Sequence, residues 1–171
     1  MIAFLTRHLE RIAHRMSFFD PFFSWYYRPL VKEETRMARF TQHDHILVIG
    51  GGSMPYSAYY LARMTHARMT VLDCDPTAVR RGQVFLKRKH ATRIQYLEGC
   101  ALAIELTPYS AIHVAKQVSP KSLVVERLLK EAPAGTKILL RQPPNNVPHH
   151  ALTLRYEASF SLVKALCYFV V

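Results

Sequence analysis

The sequence predicts an α/β fold: a doubly wound, mainly parallel sheet with helices on both faces and a helical extension ahead of it. Three observations predict this. Short apolar runs alternate with amphipathic stretches between residues 45 and 140, joined by short turns, as in repeated strand–helix–strand units. The first run, His45–Ile49, leads directly into Gly50-Gly51-Gly52, a turn that lets backbone approach a ligand. The next run closes on an acid, Asp73, twenty-three residues after Gly50.

Length and composition set the frame. A chain of 171 residues, half of them hydrophobic and a fifth charged, suits one globular domain with a single core. Residues 1–40 read as a helical and aromatic extension, and residues 41–171 as the sheet domain. No apolar run reaches the roughly 18–20 residues that a membrane span requires. The start, MIAFLTRHLERIAHRM, lacks a continuous apolar core and a small-residue cleavage site. That argues against a secretory signal, while its arginines and scarcity of acids leave an organelle presequence open. Three cysteines, Cys74, Cys100 and Cys167, with no C-x-x-C spacing, point to a reducing compartment, the cytoplasm, and to no zinc ribbon. Cys74 and Cys167 lie in strand-like runs and are expected to be buried.

The formal charge of +11 speaks about partners, not fold. One basic cluster, Arg80, Arg81, Lys87, Arg88 and Lys89, falls on a predicted helix, where a solvated face is the default. Nucleic acid is allowed by this charge, although no RNA- or DNA-binding module is recognisable.

Residues 2–16 form an amphipathic stripe of Ile2, Leu5, Leu9, Ile12 and Met16. It suits packing on the domain, a homodimer contact, or a membrane surface. An aromatic knot follows, from Phe18 to Tyr27, and Pro21 is expected to interrupt regular helix there. Helix resumes from about Pro29 to Phe40. After the glycine turn, Pro55 should open a helix as its first residue. Strand two is Met69–Leu72. Asp75 then caps a helix that begins at Pro76 and runs to about Lys89. The two neighbouring acids thus part: Asp73 faces the ligand and Asp75 caps. Strand three, Arg93–Leu97, leads to Glu98-Gly99-Cys100. Strand four is Ala111–Ala115, a helix spans Pro120–Glu131, and strand five is Lys137–Leu140. Arg141–His150 reads as loop. Tyr156–Val163 and Ala165–Val171 should add an antiparallel pair.

The turn itself narrows the ligand. Gly50 and Gly52 fit the dinucleotide pattern G-x-G-x-x-G, but its third glycine is Pro55. That disfavours a pyrophosphate cofactor and leaves a nucleoside without phosphates, such as S-adenosylmethionine. Asp73 would reach the ribose hydroxyls, and a side chain at Gly50 would occupy the approach. A ligand-free tight turn is the plainer alternative. For proton transfer, Tyr27, Glu98, His113 and Lys116 stand near strand ends. His113 lies inside a strand, where a satisfied core histidine is the commoner outcome. His149-His150 lack a third ligand, so no metal is expected.

ILVIGGGSMPYSAYYLAR followed by VLDCDPTAV resembles the first two motifs of class I S-adenosylmethionine-dependent methyltransferases, which share a Rossmann-like fold. The resemblance implies S-adenosylmethionine as cofactor, held by Gly50, Gly51, Gly52, Ser53, Pro55, Asp73, Cys74, Gly99 and Cys100. Asp73 matches the ribose-binding acid. Cys100 stands where that family often has the Asp that meets the adenine amino group. A narrower resemblance is to nicotianamine synthases, through GGGSMPYS and the upstream YYRPLVKEE. It implies transfer of a 3-amino-3-carboxypropyl group to a small amine or amino-acid-like acceptor, with Tyr27 and Glu34 as catalytic candidates. Those enzymes carry a helical N-terminal domain, whereas this chain has about forty residues ahead of its first strand. A conventional methyltransferase and a non-catalytic cofactor-binding module remain as alternatives.

Overall fold

The computed structural model describes residues 20–141, 156–160 and 163–169. The amphipathic stripe of residues 2–16, its dimer contact, Phe18, Phe19 and the pair His149-His150 lie outside the described residues.

The elements run α1 (Asp20–Ala38), β1 (His45–Ile49), α2 (Tyr56–Thr65), β2 (Arg68–Asp73), α3 (Pro76–Arg88) and β3 (Ile94–Glu98). They continue β4 (Ala111–Val114), α4 (Lys121–Glu131), β5 (Lys137–Arg141), β6 (Tyr156–Phe160) and β7 (Val163–Phe169). The sheet order is β3-β2-β1-β4-β5-β7-β6. Strands β1 to β5 are parallel, and β7 lies antiparallel between β5 and β6. The order reverses between β1 and β4, which opens a crevice at their carboxyl ends.

Burial explains why the strands read as unbroken apolar runs. Ile46, Val48, Met69, Val71, Ala111 and Leu139 pack one face against Val31, Leu61, Val79 and Leu86 of α1, α2 and α3. Leu47, Ile49, Leu72, Ile112, Val114 and Leu140 pack the other against Val124, Val125 and Leu128 of α4. A strand covered on both sides has no polar face to show.

Two proline expectations change. Helix α1 is continuous over Asp20–Ala38, with Pro29 inside it. Helix is thus present from Asp20 rather than from Pro29, and the expected break at Pro21 towards Phe18 and Phe19 lies outside the described residues. At Pro29 the lost hydrogen bond falls on the solvent side, since Trp25, Arg28 and Pro29 are exposed. Pro55 is the N-cap of α2 rather than its first residue. Asp75 caps α3 as expected, accepting from the Thr77 N–H at 2.8 Å, with Pro76 following.

The edge strand β3 buries one large side chain, Tyr96. Its ring lies against Gly82 in the middle of α3, where a Cβ would strike the ring atoms. Its hydroxyl donates to the Gly52 carbonyl at 2.6 Å. Tyr96 therefore holds the helix, the edge strand and the glycine turn together. In an unconstrained helix, alanine for glycine would stabilise by about 1 kcal/mol. Here the added methyl meets an aromatic ring with no room behind it, and overpacking costs about 1–3 kcal/mol. Gly82→Ala is expected to lower the midpoint of urea unfolding, and a smaller residue at Tyr96 to remove that penalty. A raised midpoint in Gly82→Ala alone would show that the ring yields freely.

Candidate active site

The glycine turn is anchored to the end of β2. Gly50 N–H donates to the Leu72 carbonyl at 2.8 Å. Gly52 N–H donates to Asp73 Oδ2 at 2.8 Å, and Asp75 N–H donates to Oδ1 at 3.1 Å. The Asp73 carbonyl in turn accepts from Gly99 N–H at 3.0 Å. The carboxylate thus fixes the turn and its own loop, and the backbone carbonyl of the same residue holds the mouth of β3. Asp73 keeps partial exposure, and a carboxylate has acceptor sites beyond those taken by these two N–H groups.

The three glycines have different reasons. A Cβ on Gly51 would strike the Val71 side chain and the Tyr96 hydroxyl, so this glycine serves internal packing. A Cβ on Gly50 would meet Val118 Cγ2 at 2.7 Å and Ala115 Cβ at 3.3 Å, both in the segment after β4. Gly52, at φ +64°, would direct a Cβ into space with no atom within 4 Å. The expected approach at Gly50 therefore moves to Gly52. Ser53 and Pro55 are buried behind the turn.

Cys74 is exposed, contrary to expectation, because it follows the last residue of β2 and stands at the crevice. Cys100 is exposed too, its sulfur accepting from Leu102 N–H at 3.4 Å. Cys167 is buried, as expected. With Glu98 exposed and Gly99 partly so, these residues line the carboxyl ends of β2 and β3.

A buried charge cluster flanks the turn on its other side. Glu34 of α1 is 1% exposed and Arg141, the last residue of β5, 5%. Arg141 Nε donates to Glu34 Oε1 at 2.5 Å and Nη2 to Oε2 at 2.7 Å, a two-pronged pair. Arg141 Nη1 donates to Ser57 Oγ at 2.8 Å, reaching the start of α2. His113 of β4, fully buried, lies with Nε2 3.3 Å from Glu34 Oε2. Its Nδ1 has no hydrogen-bond partner among the described residues.

Burial alone would raise the Glu34 pKa, but the charge of Arg141, with His113 and the hydrogen bonds from both, brings it down to about 2. Burial pushes His113 below its ordinary value, against the pull of Glu34. Glu34 is thus a carboxylate and His113 a neutral ring donating from Nε2. The Tyr27 ring lies 5.8 Å from Arg141 Cζ and stacks on Tyr56 at 5.6 Å and 18°. Nearby, Lys121 donates to the Lys116 and Arg141 carbonyls, each at 2.7 Å. Burial, then the charges of Lys116 and Arg141, lowers its pKa to about 8.

No family model matches the chain, and no curated protein matches it. Solved structures do. An RNA methyltransferase from Salinibacter ruber, in complex with S-adenosylhomocysteine, superposes with a TM-score of 0.71 at 14% identity, over 84% of this chain and 91% of that one. The fold is that of the class I S-adenosylmethionine-dependent methyltransferases. The same methyltransferase fold is shared with a mutant of MtNAS, a nicotianamine synthase, in complex with S-adenosylmethionine. That match has a TM-score of 0.74 at 18% identity, over 90% of this chain and 63% of that one. The methyltransferase SibL matches at 0.66 and 15% identity, over 86% of this chain and 55% of that one. The chain thus spans under two thirds of the length of MtNAS and SibL.

Within this methyltransferase fold the sequence-derived candidates fall into two groups. Gly52, Asp73, Cys74, Gly99 and Cys100 gather along the crevice mouth between β1, β2 and β3. Tyr27 and Glu34 gather on α1, over the ends of β4 and β5. Glu34 uses both oxygens on Arg141 and His113 and does not face open space. Sequence reasoning missed Arg141, Ser57, Lys121 and Tyr96. Arg141 left one trace: a cation closing the otherwise apolar run ILL, in a fold where that position is covered on both faces.

Proposed function

We propose that the chain is an S-adenosylmethionine-dependent transferase acting on a small amine or amino-acid-like acceptor. The observation that carries this is the Asp73 carboxylate bound to Gly52 N–H beside the one turn glycine that opens onto free space. A nucleoside without phosphates fits there. Gly52 admits it closely, and Asp73 offers its remaining lone pairs to ribose hydroxyls. Cys74 and Cys100 stand where the base would lie, with Gly50, Gly51, Ser53, Pro55 and Gly99 shaping the cradle. With Cys100 in place of a carboxylate, the adenine amino group would rely on backbone acceptors. S-adenosylmethionine would supply a sulfonium that activates its neighbouring carbons towards a nucleophile. The chain's part is to bind, to align the acceptor's lone pair and to receive its proton.

The aminocarboxypropyl reading is favoured by α1, which sets Tyr27 against Arg141 beside the turn. Glu34 is then a positioning residue: it fixes the guanidinium that the Tyr27 ring covers. Tyr27→Phe is expected to reduce turnover at least tenfold with cofactor affinity changed less than threefold, since the stacked ring remains. Unchanged turnover would return Tyr27 to the aromatic stack alone.

The deciding experiment is titration calorimetry with S-adenosylmethionine, followed by product analysis across small amines. Methylthioadenosine marks aminocarboxypropyl transfer, and S-adenosylhomocysteine marks methyl transfer. Binding without either favours a cofactor-binding module, and no binding overturns the proposal. Two cysteines left exposed, Cys74 and Cys100, fit a reducing compartment such as the cytoplasm. Among the described residues no helix is long and apolar enough to cross a membrane.

A further inference from the structure

Six cations converge at the end of the molecule opposite the crevice: Arg63, Arg68, Lys87, Arg88, Lys89 and Arg93. They come from three elements and the connection between α3 and β3. The last turns of α2 and α3 supply Arg63, Lys87 and Arg88, and the first residue of β2 supplies Arg68. Lys89 and Arg93 bound the connection from α3 to β3. All but the partly buried Lys89 are exposed.

Their adjacency is direct. Arg63 Cζ and Lys89 Nζ lie 5.7 and 5.9 Å from the centroid of one ring, Tyr59. Arg93 Nη1 donates to the His66 carbonyl at 3.3 Å, joining the start of β3 to the end of α2. Met69 N–H donates to the Arg93 carbonyl at 3.0 Å, so Arg68 and Arg93 emerge beside each other. Between residues 57 and 97 the only acids are Asp73 and Asp75, both at the far, carboxyl end of β2. Asp44, an acid at the same end of the sheet as the cations, is held by Lys137 at 2.8 Å.

Two features choose among polyanions. Four of the six cations are arginines, whose planar fork suits phosphate oxygens. An anionic bilayer would also want apolar side chains to insert. Of the exposed large apolar residues among those described, Trp25, Val84, Leu102 and Leu123, only Val84 lies on α3 near the patch. We propose that this face, built from the ends of α2, β2 and α3 and the connection to β3, docks the phosphate backbone of a nucleic-acid strand. It does so without reading sequence. Basic residues also suit helix carboxyl ends, but that accounts for Arg63, Lys87 and Arg88 and not for Arg68 or Arg93 at strand starts. The inference is independent of the cofactor reading, because the crevice lies at the other end of the sheet.

The test is fluorescence anisotropy with a labelled mixed-sequence RNA of about twenty nucleotides over a series of salt concentrations. About four phosphate contacts would make log K fall with log salt at a slope of about −3. The triple variant Arg88→Glu, Lys89→Glu, Arg93→Glu is expected to weaken binding at least tenfold and flatten that slope. The control Arg80→Glu, Arg81→Glu, Lys130→Glu changes net charge equally elsewhere and is expected to stay within threefold. Circular dichroism checks that both fold. If the glutamate variant does not, the three glutamines at the same positions should still weaken binding about threefold or more. Equal losses in both variants would overturn the proposal, because net charge alone would then explain them. So would absence of RNA binding at about 0.1 M salt, where a patch of this charge should still hold a strand. Tighter binding to phosphatidylserine vesicles than to RNA, lost in the same variant, would assign the face to lipid and overturn it too.

Discussion

Replacing Arg141 by alanine is expected to destabilise the fold by about 3–5 kcal/mol, the cost of leaving a buried charge without its partner. Glu34 would keep a 3.3 Å contact with neutral His113 and lose both guanidinium bonds. The pH dependence carries the sign. In the parent chain Glu34 is depressed from 4.5 to about 2, so its contribution is complete above pH 4.5 and is lost as pH falls towards 2. Without Arg141, burial is the main influence left and raises the carboxyl. The unfolded chain then gives up this proton more readily than the folded one. Stability of the variant should therefore increase as pH falls towards the ordinary carboxylate range, opposite to the parent. Urea unfolding at neutral and mildly acidic pH reads both effects. Should Arg141→Ala fail to fold, Arg141→Met with Glu34→Leu removes both charges and is expected to recover much of the loss, since an apolar pair of similar volume often replaces a buried ion pair without penalty. A loss under about 1 kcal/mol in the single variant would mean that water reaches the site and that Glu34 is not sealed.

Asp73→Ala is expected to weaken S-adenosylmethionine binding about 10- to 100-fold, equivalent to about 1–3 kcal/mol for a charged hydrogen-bond acceptor. Two losses combine. The acceptor for the ribose goes, and Gly52 N–H loses the oxygen that fixes its direction at 2.8 Å. Asp73→Asn retains an acceptor for one of these and should fall between. The neighbouring acid provides the contrast. Asp75→Ala removes a helix cap, expected to cost about 1 kcal/mol of stability with affinity unchanged. Calorimetry on the three variants separates the roles. Equal affinity in Asp73→Ala and the parent would refute Asp73 as a ligand group, and an equal loss in Asp75→Ala would reduce both to loop structure.

What was legible in the chain was legible for physical reasons. Strands covered on both faces are apolar throughout, so β1, β2, β4 and β5 stood out. Asp73 and Asp75 parted because proline after an acid marks a helix start. Cys74 departs from expectation because cysteine is a core residue by type, while its position, after Asp73, is already past the strand's end. Pro29 lies inside a helix rather than at its start because the hydrogen bond it forfeits falls on the solvent side. The Glu34–Arg141 pair spans 107 residues, and no local spacing can announce such a partner. The glycine turn was found as a unit, but which glycine opens to a ligand depends on Val118, Val71 and Tyr96, which come from three other parts of the chain.

Tyr96 has a consequence for how this sequence can drift. Its ring occupies the volume that a side chain at position 82 would need, and its hydroxyl reaches the turn. The helix-weakening Gly82 is therefore tolerated for the sake of a residue on another element. Positions 82 and 96 form one inherited choice: a lineage that trades Tyr96 for a smaller side chain is released to place alanine at 82, and it must hold the Gly52 carbonyl by other means. Among descendants of this chain, alanine at 82 should occur only alongside a smaller side chain at 96.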